Sequence, residues 1–118
     1  MLLQNGKYNG RRYLDAKVIE EFTRYQFPLN NNRRGLGFDK PETDRRTNGP
    51  ACPSTSGSSY GHSGFTGTYI WADPENNLAY VFLSNRIYPD ASNNKLIDQQ
   101  LRTKIHELFY HSLSSGTK

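Results

Sequence analysis

Cysteine is nearly absent from this sequence. Cys52 stands alone, so no intramolecular disulfide can form and no cysteine-based zinc spacing exists. It lies in Pro50-Ala51-Cys52-Pro53, read as a surface loop, with nothing beside it to activate a thiolate. Long apolar runs are missing too, which excludes a bilayer-spanning helix. Only 34% of the 118 residues are apolar, so the core is small and the chain makes one domain at most. A core this small predicts help from a partner surface. A strong charge imbalance is also missing. The net charge is +4, much of it in Arg11-Arg12, Arg33-Arg34 and Arg45-Arg46. These pairs sit near Gly, Pro or Asn as solvated loop charges do, so the reading is a protein without a nucleic-acid partner. No two-histidine-plus-carboxylate spacing supports a metal site, and no paired carboxylates suited to glycoside hydrolysis are identifiable. The expectation is a protein without cofactor or metal.

Aromatics are what the chain has. They make up 13% of it, with eight tyrosines, which argues against disorder. Taken in order, Met1-Leu2-Leu3-Gln4 reads as the tail of a helix stopped by Asn5-Gly6. Asn9-Gly10 is a turn signal. Asp15 caps a helix of about ten residues with Val18, Ile19 and Phe22 on its apolar face. Pro28 and Asn30 to Asn32 end that stretch, and Gly35 to Phe38 is a short strand candidate.

Residues 39–59 read as a long flexible loop, the least ordered interior stretch, because they offer almost nothing apolar to bury. Tyr60–Gly64, Thr68–Ala72 and Leu78–Ser84 then read as consecutive antiparallel strands. The continuous apolarity of Leu78 to Leu83 predicts burial on both faces, hence a central strand. In the last helix Ile97, Leu101, Ile105, Leu108 and Phe109 predict one apolar stripe, with His106 and His111 on the surface. Trp71 is expected to pack on the sheet. Asn85 and Arg86 are expected to bond to the loop that follows them.

The densest pattern is Tyr60-Gly61-His62-Ser63-Gly64-Phe65-Thr66-Gly67-Thr68-Tyr69-Ile70-Trp71, with glycine at every third position. Glycine permits positive φ or a close backbone approach. Around it lie Gly35-Leu36-Gly37-Phe38, Trp71-Ala72-Asp73-Pro74, Val81-Phe82-Leu83-Ser84-Asn85-Arg86 and a closing helix. This order resembles the C-terminal part of the serine hydrolases related to class C β-lactamases, penicillin-binding proteins and their esterase relatives. Within that group it is most similar to the module that some Bacteroidetes carry behind a family 3 glycoside hydrolase (β-N-acetylglucosaminidase).

The resemblance implies an α/β (α+β type) fold, an antiparallel β-sheet with a C-terminal helix packed on it. It implies that residues 1–118 are a C-terminal fragment of a hydrolase that cleaves esters or amides through an acyl-enzyme. Such an enzyme uses a Ser-x-x-Lys pair, a Tyr-x-Asn motif and a Lys/His-Ser/Thr-Gly strand. Only the last is identified, as His62-Ser63-Gly64. The catalytic residues are therefore expected to be absent, and the isolated chain inactive. On the family pattern His62 places a cation or donor against the substrate, and Ser63 hydrogen-bonds its carboxylate or carbonyl. The Phe65 N–H after Gly64 is one of two oxyanion donors. The implied partners are the missing N-terminal part of the hydrolase and a small-molecule or peptidoglycan-like substrate, in the periplasm or cell envelope. A homodimer of the fragment through the free edge of strand Leu78–Leu83 is also expected. The alternatives are a non-catalytic module for peptidoglycan recognition or assembly, or part of a β-N-acetylglucosaminidase fusion.

Overall fold

The computed structural model describes residues 1–30, 32–44 and 46–115. Arg45 of the third arginine pair and Asn31 lie outside the described residues. A 3-10 turn at Leu2–Gln4 ends at Asn5, whose φ of 50° is left-handed. Strands β1 (Lys7–Tyr8) and β2 (Arg11–Arg12) follow as a hairpin, Tyr8 facing Arg11 and Lys7 facing Arg12. Its two-residue turn has positive φ at both Asn9 (47°) and Gly10 (76°), the twist that suits paired strands. Helix α1 (Ala16–Thr23) follows Asp15 and buries Ile19 and Thr23, leaving Val18 and Phe22 about half exposed. Gly35 to Phe38 is not a strand. It is a tight turn, with the Gly35 N–H bonded to the Phe38 carbonyl and Gly37 at φ 76°, set between isolated bridges at Arg34 and Asp39.

The main sheet contains β3 (Tyr60–Ser63), β4 (Tyr69–Asp73) and β5 (Leu78–Phe82), antiparallel and in that order. All three expected strands are present. Their register puts Ser63, Tyr69, Trp71, Asp73, Tyr80 and Phe82 on one face, and His62, Ile70 and Val81 in a row across the other. Helix α3 (Leu101–Ser115) covers the first face, where Tyr69, Trp71 and Tyr80 form the buried core. Trp71 is fully buried and its ring lies over Gly61, where a Cβ would meet the indole at 2.2 Å. Any side chain there forces overpacking, which costs about 1–3 kcal/mol. The resulting mixed α/β architecture, an antiparallel sheet with a C-terminal helix on it, agrees with the fold read from the sequence.

Three further expectations are corrected. Strand β5 is an edge strand, not a central one, and Ala79 and Val81 point to solvent. Its apolar run alternates in burial because the helix covers only one face.

The last helix is also not the predicted one. It is split into α2 (Lys95–Asp98) and α3 by Gln100, whose φ of 53° no helix accommodates. Ile105 and Leu108 face outward and Phe109 is half exposed at the edge of the Tyr80 ring, whereas His106 and Tyr110 are buried. The sheet face offered to the helix is aromatic and carries Asp73, so rings and a hydroxyl one turn apart fit it better than aliphatic residues. His106 stacks on Tyr80 at 4.5 Å, and the Tyr110 hydroxyl donates to Asp73 at 2.7 Å.

The loop 39–59 is the third. Its polarity is real, yet Lys40, Pro41, Cys52, Thr55 and Ser59 are buried. The Lys40 amine donates to the Ser58 carbonyl at 3.0 Å and lies 5.1 Å from the Tyr25 ring and 5.9 Å from that of Tyr60. Ser54 donates through its N–H and hydroxyl to the Glu107 carboxylate, and Ser56 does the same to Asp73. The loop is thus fastened by hydrogen bonds where apolar contacts are lacking. Cys52 is inside it, not on the surface, and burial with the nearby Glu107 pushes its thiol up to about 12.

Candidate functional site

The His62-Ser63-Gly64-Phe65 stretch ends β3 and enters a five-residue loop back to β4. The Gly64 N–H bonds the Thr68 carbonyl at 2.8 Å, and the Gly67 N–H bonds the Gly64 carbonyl at 3.0 Å. Gly67 has a φ of 92°, and glycine is the residue that takes this conformation without strain. Gly64 is favoured for a different reason. A Cβ there would meet the Thr68 hydroxyl oxygen at 2.4 Å.

Hydrogen-bond parity decides what this strand offers a ligand. Gly61 exchanges both backbone bonds with Asp39, at 2.7 and 3.0 Å, on the side away from β4. The carboxylate of Asp39 is paired with Arg33 and Arg34. Backbone groups alternate sides along a strand, so the N–H and carbonyl of Ser63 also point outward. Nothing pairs with them among the described residues. The Phe65 N–H likewise has no partner among the described residues. The outer edge of β3 is therefore closed at Gly61 and open from Ser63 to Phe65. It is a short row of free donors and acceptors that an extended substrate could pair with.

The loop at the end of this edge is held from behind. The Arg86 N–H bonds the Thr66 carbonyl at 2.9 Å, its Nε bonds the Phe65 carbonyl at 2.9 Å, and Ser84 Oγ donates to the Thr66 carbonyl at 3.2 Å. The Arg86 guanidinium also lies 4.9 Å from the centre of the Phe65 ring and reaches forward to the Ala91 carbonyl and Asn94. Arg86 thus meets the following loop, as expected, and in addition anchors the turn that carries Phe65. Its position just after an apolar strand was the available signal.

His62 and Ser63 do not converge on one point. His62 stands exposed on the open sheet face beside Ile70. Ser63 faces the other way, onto a cavity of about 210 Å³ bordered by Gly49, Gln100, Arg102 and Thr103. Phe65 is 72% exposed.

No acyl-transfer nucleophile is assembled among the described residues. Two stretches do spell Ser-x-x-Lys, Ser92 to Lys95 and Ser115 to Lys118. Ser92 lies in a turn before α2 with its hydroxyl and N–H on the Asp90 carboxylate, each at 2.8 Å, and both Ser92 and Lys95 are exposed. An activated pair needs the serine free and the lysine beside it on one helix face. Lys118 lies outside the described residues. No tyrosine has asparagine two residues on. Among the described residues, no group of three His, Cys, Asp or Glu is placed to hold a metal ion.

Comparison with known proteins gives a consistent set of relatives. The family described as Beta-lactamase matches residues 2–103. A Salmonella enteritidis protein named "Putative D-alanyl-D-alanine carboxypeptidase" is 32% identical over 102 residues, covering 81% of this chain and 22% of its own length. A Salmonella newport protein of the same name is 33% identical over the same shares. The crystal structure of a beta-lactamase from Mycobacterium bovis superposes with a TM-score of 0.63 at 25% identity, over 84% of this chain and 38% of that one. The chain therefore spans about a fifth of the length of the curated relatives it matches.

Proposed function

Since the chain belongs to the beta-lactamase family, we propose that it forms one wall of the acyl-transfer cleft of a serine hydrolase. The observation that carries this reading is the open edge from Ser63 to Phe65, ending in an unpartnered N–H on a turn anchored by Arg86.

In this reading an ester or amide substrate lies along β3. The free Ser63 backbone groups hold its chain, and the Phe65 N–H donates to the oxygen that gains charge as a serine attacks the carbonyl. Preorganised donors aimed at developing charge are among the strongest contributions to such reactions. Gly64 lets the turn that carries Phe65 close against Thr68. His62 presents a donor on the open face. The nucleophile, its lysine and the Tyr-x-Asn group come from residues outside this chain, so these 118 residues alone turn nothing over.

The name of the Salmonella relatives makes a peptide ending in D-alanyl-D-alanine the first substrate to test. Such a substrate puts the intact protein at the cell envelope. The narrower likeness, to the module behind a family 3 glycoside hydrolase, is tested by the reading frame upstream of Met1.

The chain alone is expected to show no hydrolysis of a chromogenic cephalosporin or ester. A longer polypeptide that joins it to Ser-x-x-Lys and Tyr-x-Asn motifs is expected to be active. In that polypeptide Phe65→Pro removes the N–H at a turn position where proline is well tolerated. It is expected to lower kcat by about a hundredfold. Unchanged kcat would remove Phe65 from the oxyanion site.

A further inference from the structure

The β1–β2 hairpin is built with care yet buries none of its own side chains. Gly6 at its base accepts hydrogen bonds from the N–H groups of Tyr13 and Leu14, and a Cβ on Gly6 would lie 1.9 Å from the Leu14 carbonyl oxygen. The turn uses left-handed Asn9 and Gly10. All residues from Lys7 to Asp15 are nevertheless exposed. A two-stranded hairpin is marginal in water without a face to bury.

Its charges make the arrangement less stable still. Lys7 stands directly opposite Arg12, a like-charge cross-strand pair. No Asp or Glu occurs before Asp15, and neither Lys7, Arg11 nor Arg12 makes an ion pair among the described residues. The guanidinium of Arg12 is spent on the Asn5 and Leu14 carbonyls. Tyr8 faces Arg11 across the hairpin, and Arg11 lies 5.3 Å from the Tyr13 ring. Folding thus places Tyr8, Arg11 and Tyr13 on one face. Read linearly, the same residues look like an ordinary loop pair.

We propose that this Tyr8–Arg11–Tyr13 face docks an acidic glycan strand. Exposed tyrosine rings give flat surfaces for sugar rings, and the unpaired Arg11 meets carboxylates on the strand. Lys7 adds attraction from the other side. The choice of a glycan over single-stranded nucleic acid rests on the hydrolase reading above. The binding itself is measured on this chain without turnover, so failure of that reading leaves the result standing.

The test titrates the full 118-residue chain, at low salt and followed by amide NMR, with three probes. These are a hyaluronan decasaccharide, the neutral chitohexaose and the oligonucleotide (dT)10. The hyaluronan fragment is expected to bind saturably, to shift resonances of residues 7 to 14, and to bind more tightly than chitohexaose or (dT)10. Tyr8→Ala and Arg11→Gln are each expected to weaken it about fivefold, consistent with loss of an exposed aromatic or cation contact. Lys104→Gln, an exposed charge on α3, is expected to leave it unchanged. Absence of saturable binding, equal loss in the Lys104 variant, or equal or tighter binding of chitohexaose or (dT)10 would overturn the proposal.

Discussion

Replacing Asp73 with alanine is expected to remove on the order of 4 kcal/mol of folding stability, since the buried Tyr110 hydroxyl and the part-buried Ser56 donors lose their acceptor at about 1–3 kcal/mol each. Asp73 is 1% exposed. Its carboxylate accepts the Tyr110 hydroxyl at 2.7 Å, the Ser56 N–H at 2.9 Å, the Ser56 hydroxyl at 2.6 Å and the Asn76 amide at 3.0 Å. Strand β4, the loop and α3 all meet on one side chain. A single domain has only about 5–15 kcal/mol in total, so this loss is a large share. Urea unfolding followed by circular dichroism measures it. Tyr110→Phe, which leaves the rest of the network in place, is expected to cost about 1–2 kcal/mol. Equal, small effects from both substitutions would show that the network contributes little.

The second large effect is a loss of stability in mild acid that depends on His106. Both of its ring nitrogens are buried without a partner among the described residues. Burial pushes its pKa down from 6.5 to about 4, against the pull of Asp73 and Glu107 toward the charged form. The other groups packed around it, Tyr69, Tyr80 and Tyr110, are neutral in this range. The folded protein therefore refuses a proton that the unfolded chain accepts. Its contribution is complete above about pH 6.5 and is lost as pH falls toward 4, about 3 kcal/mol across that window.

The carboxylates act lower on the scale. For Asp73 burial pushes upward, but the bonds from Ser56, Tyr110 and Asn76 together outweigh it and hold the carboxyl below its usual range. Glu107 behaves likewise through Ser54, Cys52 and His111. Their contributions are present above their ordinary values and lost as pH falls below them. His106→Phe is expected to keep the stack on Tyr80 and to flatten stability between pH 6.5 and 4, leaving only the lower transition. Unchanged slope in that interval would refute the role given to His106.

What could be read in advance follows from where side-chain pattern and backbone need coincide. The three strands were legible because β-branched and aromatic runs alternate with glycine and with Asp73-Pro74, signals that act locally. The turn after Gly64 was legible for the same reason. The inward face of α3 was not. Periodicity favours Ile105, Leu108 and Phe109, but the sheet presents Tyr69, Tyr80 and Asp73, and that surface selects His106 and Tyr110. Asp73 reads as turn chemistry beside Pro74 and hides its bond to a tyrosine 37 positions away. Ser54 and Glu107, 53 positions apart, hide their bond in the same way. The division of His62 and Ser63 between the two faces of β3 was implicit in strand alternation, whereas the open edge at Ser63 required knowing that Asp39 pairs with Gly61.

The fastening of the loop to α3 also bears on the order in which the chain acquires its shape as it is made. Ser54 and Ser56 leave the ribosome well before Glu107 and Tyr110, the residues that secure the loop and complete the cluster around Asp73. Strands β3 to β5 pair through near neighbours and can form first. The loop must wait, uncommitted, until the closing helix arrives, and contacts so distant in sequence form slowly. During that interval the aromatic face of Tyr69, Trp71 and Tyr80 lacks the cover of α3. The nascent chain is most exposed to sticking or cleavage in that state, with its sheet built and its last helix still in the exit tunnel.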